Sequence, residues 1–90
     1  MYLAELPARV GAIHEAVGAA DAPGLAAAAH TLKSTSGLVG ATRLTEICAD
    51  LEAAGRSGKA AEVADRLPLL DEETEAARLT LERPAAKAAG

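Results

Sequence analysis

Leu3, Leu6, Val10, Ile13 and Val17 recur at steps of three and four residues, with small or polar residues mostly between them. That period lays one apolar stripe along a helix over residues 2–19. Pro7 fits such a helix only in the first turn or at a kink, because proline lacks a backbone donor. Gly18 and the run Asp21-Ala22-Pro23-Gly24 break the pattern. Asp21 supplies an N-cap oxygen, and Pro23 has its φ set for the first turn of a second helix. Counted at about 100° per residue, Leu25, Ala29, Leu32, Ser36 and Val39 fall within an arc of about 80°, the core face of a helix over residues 23–39. Gly40 ends it. Thr42 is placed to cap a third helix that runs to residue 54, with Leu44, Ile47, Cys48 and Leu51 as its stripe. Gly55-Arg56-Ser57-Gly58 reads as a turn. A fourth segment, residues 59–83, aligns Val63, Leu67, Leu70, Thr74 and Leu81, with Pro68 expected to bend it.

Four amphipathic helices with short connections predict an all-α fold, an antiparallel up-down four-helix bundle. One domain over residues 1–84 and a frayed tail over residues 85–90 is the expected organisation. Composition narrows what the core can be. Half of the residues are apolar, yet Trp and Phe are missing and Tyr2 is the one aromatic. The core must be Leu, Val, Ile and many alanines, whose small side chains let helices approach closely.

Charge and composition remove several functional classes. A net charge of −4 without a basic stripe or aromatic platforms argues against nucleic acid. A single cysteine forms no internal disulfide, and Cys48 on the third stripe reads as a buried, inert thiol. The longest apolar run, residues 25–29, is too short to span a membrane, and the N-terminus lacks the pattern of a signal peptide. The expectation is a cytoplasmic, monomeric module away from membranes. Two histidines without paired helical spacing make a metal site improbable, and Ser57-Gly58-Lys59 lacks the rest of a nucleotide loop. The acidic run Asp71-Glu72-Glu73-Thr74-Glu75 reads as a solvated helix face.

The chemistry gathers on the second helix. From the Leu25 direction, Lys33 lies at about 80°, Gly37 at about 120°, His30 at about 140° and Ser34 at about 180°, all outside the core arc. His30 is therefore expected to face solvent with a cation one turn away. Neutral imidazole, with a reference pKa of about 6.5, is a good nucleophile near neutrality. An ammonium nearby can stabilise an arriving phosphoryl group. Gly37 costs helix stability of about 1 kcal/mol relative to Ala. It either gives a partner clearance to reach the imidazole or admits a neighbouring helix, and spacing alone leaves both open. Glu52 lies at about 80° from the Leu44 direction, at the edge of the third helix's core face. It is either a solvated boundary carboxylate, the simpler reading by count, or a partner for the second helix. Glu46 and Asp50 point elsewhere. His14, beside the first helix's stripe, has no lysine at a matching offset and reads as a boundary residue.

The stretch His30-Thr31-Leu32-Lys33-Ser34-Thr35-Ser36-Gly37-Leu38-Val39-Gly40-Ala41, followed by Leu44, Cys48 and Leu51-Glu52, resembles the histidine-containing phosphotransfer (HPt) domains of bacterial multistep phosphorelays. Glu5-Leu6-Pro7 and the Asp21 turn are similar too, so the resemblance spans nearly the whole chain. It implies that His30 is the phosphoacceptor, that Lys33 steadies the phosphoryl group, and that Glu52 orients the histidine. It also places Gly37 and Ser34 at the partner-docking surface. Ser34 departs from the family pattern, which usually has glycine directly after the lysine. The implied function is transfer of a phosphoryl group from a receiver-domain aspartate to His30 and on to another receiver. The Mg²⁺ would belong to the receiver, and the chain itself would need no cofactor. The protein would then be a carrier rather than an ATP-dependent kinase. A histidine-kinase dimerisation helix fits less well, since Thr31 rather than an acidic residue follows His30. A helical adaptor that binds a receiver or another signalling partner without accepting phosphate is the remaining alternative.

Overall fold

The computed structural model describes residues 2–81. These form α1 (Tyr2–Gly18), α2 (Ala22–Leu38), α3 (Thr42–Arg56), a 3-10 segment (Ala60–Arg66) and α4 (Leu67–Leu81). Among the described residues there is no strand. The expected frayed tail, and the end of the fourth segment at Glu82 and Arg83, lie outside the described residues.

The helices α1, α2 and α3 stop in the same way. After α2, the Gly40 N–H donates to the Gly37 carbonyl and the Ala41 N–H reaches back to Ser36, with Gly40 at φ +78°. After α3, Gly58 donates to Gly55 and Lys59 to Ala54, with Gly58 at φ +72°. This paired closure satisfies carbonyls that the helix leaves open, and it needs a left-handed residue, usually glycine. After α1 the same two bonds form from Ala20 to Val17 and from Asp21 to Ala16, but the left-handed residue is Ala20, at φ +53°. Its Cβ makes that conformation costly.

The starts differ. At α2 the Asp21 carboxylate accepts from the Gly24 N–H at 3.0 Å and Pro23 lies in the first turn, as expected. At α3 the expected cap is replaced. Thr42 is the first helical residue, Ala41 occupies the cap position, and no side chain caps the helix. The reason is economy of chain: Ala41 closes α2 and opens α3, so no residue is left over to act as a separate cap. Val39, expected in the core, sits at the end of α2 and is 39% exposed, and Leu38 is 87% exposed. Helical phase no longer points Val39 inward once the helix stops at Leu38. The long fourth segment is likewise two elements. Pro68 is the second residue of α4, where a missing N–H leaves no bond unmade, so it begins a helix instead of bending one.

The core joins Leu6, Ile13 and Val17 of α1 to Leu25, Ala29 and Leu32 of α2, and to Leu44, Cys48 and Leu51 of α3, with Val63 and Leu70 closing it. The most extensive interface is between α2 and α3. Their partners pair in opposite order, His30 with Glu52 and Ala22 and Ala26 with Gly55, so the two helices run antiparallel. Gly55 belongs to α3, not to a turn, and it makes this approach possible. A Cβ there would lie 2.6 Å from the Ala26 nitrogen and 2.8 Å from the Ala22 oxygen. The obstacles are backbone atoms, which cannot rotate aside. At Gly37 a Cβ would meet nothing within 4 Å.

Opposite outcomes follow for two alanine substitutions of the same residue type. Gly37→Ala should stabilise the fold by up to about 1 kcal/mol, the gain in helix propensity. Gly55→Ala should destabilise it by about 1–3 kcal/mol through overpacking. Urea denaturation midpoints of the two variants test this, and equal shifts would contradict the close approach of α2 and α3.

Candidate functional site

His30 lies midway along α2 with its side chain 57% exposed. Its Nδ1 is 3.0 Å from Oε2 of Glu52, a residue of α3 whose side chain is only 6% exposed. Lys33, one turn further along α2, places Nζ 2.6 Å from Oε1 of the same carboxylate. Arg56 at the end of α3 donates to Oε2 at 2.6 Å. A single buried carboxylate thus holds an imidazole and two cations.

The electrostatics fix its charge state. The Lys33 ammonium holds the Glu52 carboxyl below its ordinary value, burial works against this, and the His30 hydrogen bond and the Arg56 charge add to the lowering. An ionised carboxylate is acceptor-only. A hydrogen bond between Nδ1 of His30 and this oxygen therefore has the ring N–H as donor and Oε2 as acceptor.

The geometry separates the readings that spacing left open. Glu52 leans onto α2 and is not a solvated boundary residue. Gly37 borders open space, so no neighbouring helix needs its missing side chain. Ser34 is exposed on the same side of α2. Lys33 is one turn from His30 as expected, but its ammonium rests on Glu52. Arg56 is the member that the sequence pattern hides, because Gly55-Arg56-Ser57-Gly58 reads as a turn. Once α3 extends to Arg56, the spacing Glu52-x-x-x-Arg56 is an i,i+4 pair on one face, a signal present in the sequence.

The other candidates are placed elsewhere. Nε2 of His14 is 2.8 Å from Asp71, bridging α1 and α4 at the surface. Cys48 is buried, and burial pushes its thiol up to about 12, so it stays protonated at neutral pH. Glu46 and Asp50 are exposed, with Asp50 3.6 Å from Arg66. Among the described residues no group of three or more His, Cys, Asp or Glu side chains is arranged to hold a metal ion, and no helix is long and apolar enough to cross a membrane.

The described residues thus form an all-helical domain with a largely exposed histidine hydrogen-bonded to a buried carboxylate. The chain is a member of the Hpt domain family, whose model matches residues 1–80. Hpt domains act in histidine phosphotransfer within phosphorelays as phosphocarriers, not kinases, and interact with the receiver domains of response regulators. No curated protein and no solved structure matches the chain.

The lowered pKa of Glu52 has a stability consequence of definite sign. Its folded value lies below its unfolded value, so its contribution is present above the ordinary carboxylate range and is lost as pH falls through the folded value. Urea midpoints measured from pH 7 down to about 3 should fall more steeply for the wild type than for Glu52→Gln, which has no proton to take up. Parallel curves would show that Glu52 is not held ionised by its partners.

Proposed function

We propose that His30 is the phosphoacceptor of a phosphorelay carrier that takes its phosphoryl group from a receiver-domain aspartate and passes it to another receiver. The observation that carries this reading is the hydrogen bond from Nδ1 to buried Glu52, which leaves a nucleophilic Nε2 on a largely exposed ring. In the first transfer, the Nε2 lone pair forms the N–P bond as the P–O bond to the donor aspartate breaks. The aspartyl oxygen leaves with the electron pair, and Nδ1 keeps its proton. The ring gains positive charge in this step, and the adjacent Glu52 carboxylate stabilises it, as a buried acid does for a catalytic imidazolium. The reverse displacement hands the phosphoryl group to the next aspartate.

Lys33 acts as the phosphoryl-steadying cation, once its ammonium moves from Glu52 to the incoming oxygens. Ser34, Gly37 and the exposed Leu38 form the docking surface beside the imidazole. Gly37 keeps it low, and Leu38 gives a partner apolar area to bury. Ser34 adds a hydroxyl where the family pattern usually has glycine, and this tunes the choice of receiver. The Mg²⁺ of the reaction belongs to the receiver, and the chain supplies no cofactor. The remaining parts of the reading are an up-down antiparallel order of the four helices, a monomeric state, a cytoplasmic location and the absence of nucleic-acid and membrane partners.

Incubation with a phosphorylated receiver domain tests the proposal. The wild type should gain acid-labile, base-stable phosphate, and His30→Gln should gain none. Glu52→Ala should slow the transfer about 100-fold, within the range typical of losing acid–base support at a reacting group. If the wild type binds the receiver yet gains no phosphate, the protein is an adaptor that docks receivers without carrying the group. An unchanged rate in Glu52→Ala would remove the tautomer-fixing role while leaving His30 as acceptor.

A further inference from the structure

Lys33 has two employers in this site. In the free protein its ammonium lies 2.6 Å from Oε1 of Glu52, where it is the strongest influence keeping that buried carboxyl ionised. When it turns to a phosphoryl group on His30, its hold on Oε1 is weakened or given up. Glu52 would then face the ring without its first counter-ion, at the moment when the ring most needs an ionised carboxylate. A buried carboxylate stripped of its cation is strongly destabilised and takes up a proton, and a protonated Glu52 no longer selects the Nδ1–H tautomer.

Arg56 is positioned to prevent this. We propose that Arg56 is the reserve counter-ion of Glu52: it holds the carboxylate ionised and its Oε2 turned to His30 while Lys33 is away on the phosphoryl group. The two cations use different oxygens, Lys33 on Oε1 and Arg56 on Oε2, so the departure of one leaves the other's bond intact. Arg56 and His30 share Oε2, at 2.6 Å and 3.0 Å. The guanidinium therefore anchors the same oxygen that the ring proton needs. Its side chain is 69% exposed against 33% for Lys33. An exposed ion pair ordinarily contributes little, but here one partner is buried, so loss of the cation is not replaced by water at the carboxylate. Arginine also stays charged at any pH of interest, which suits a counter-ion that must not lose its charge. The guanidinium touches neither the ring nor a reacting atom and acts through Glu52, as a positioning residue. This role rests on the phosphoacceptor reading of His30, but its physical core is measurable without any phosphate.

Nitrogen-15 NMR of the His30 ring at neutral pH reports the tautomer directly. Wild type should be mainly Nδ1–H. Lys33→Ala, which imitates the departed lysine, should remain mainly Nδ1–H because Arg56 still holds Glu52. Lys33→Ala/Arg56→Ala should lose that preference, and Lys33→Ala/Arg56→Lys should regain it. Should the double alanine variant fail to fold by circular dichroism, Lys33→Ala/Arg56→Gln makes the same comparison with a donor that carries no charge. Loss of the Nδ1–H form in Lys33→Ala alone overturns the proposal, since Arg56 then fails to substitute. Retention in the variant lacking both charges overturns it too, since no counter-ion is needed. In transfer from a phosphorylated receiver, Arg56→Ala should be slowed about tenfold, on the scale of one charge-assisted hydrogen bond, with rescue by Arg56→Lys. An absence of transfer in wild type would defeat the carrier reading while leaving the tautomer comparison to decide the part played by Arg56.

Discussion

The Glu52 carboxylate is the interaction on which the rest of this site depends. It is buried between α2 and α3, and it is held below its ordinary pKa by the cations around it. A charge in that position is tolerable only with partners that satisfy it, and it has three: Lys33, Arg56 and the His30 ring. Each partner is set in turn. The two cations hold the carboxyl below its ordinary value, and the carboxylate accepts a hydrogen bond from Nδ1 of the ring. The surroundings of the exposed imidazole are thus set by a residue that is itself buried.

That arrangement needs α2 and α3 to be close and in register, and the sequence meets the need with absences. Gly55 has no side chain, so the backbone of α2 at Ala22 and Ala26 can lie against α3. Ala41 ends one helix and starts the next, so the connection has no slack. Gly55 and the Glu52–Arg56 pair lie within one turn of α3, which couples close packing and site assembly along the same stretch. At Gly37 no described residue lies within 4 Å of where a Cβ would sit. Two glycines with the same propensity cost therefore have opposite surroundings, one packed against a helix and one bordering open space.

Membership of the Hpt family supplies the class, and the structure adds the surroundings of His30: a buried carboxylate and two cations. Lys33 lies on one oxygen of Glu52 and Arg56 on the other, so the carboxylate keeps a cation if either is drawn away.

Much of this was legible in the sequence, because helical phase is local. The spacing of Leu25, Ala29 and Leu32 against His30 fixed which residues of α2 face the core and which face solvent. The stripes of α1 and α3 were equally plain, as was the burial of Cys48. Where the reading failed, the cause was a helix boundary. The periodicity of α2 points Val39 at the core, but the helix ends one residue before it. Gly55 reads as a break and hides Arg56 in a turn, although α3 continues through both. Pro68 reads as a bend in a helix that in fact begins beside it. A glycine or proline in sequence marks either a break or a close approach, and only the neighbouring helix distinguishes them. The partnership of His30 with Glu52 was likewise beyond spacing, since the two belong to different helices and their contact depends on how far those helices slide past each other. Local periodicity determined which residues share a face, and tertiary packing decided which faces meet.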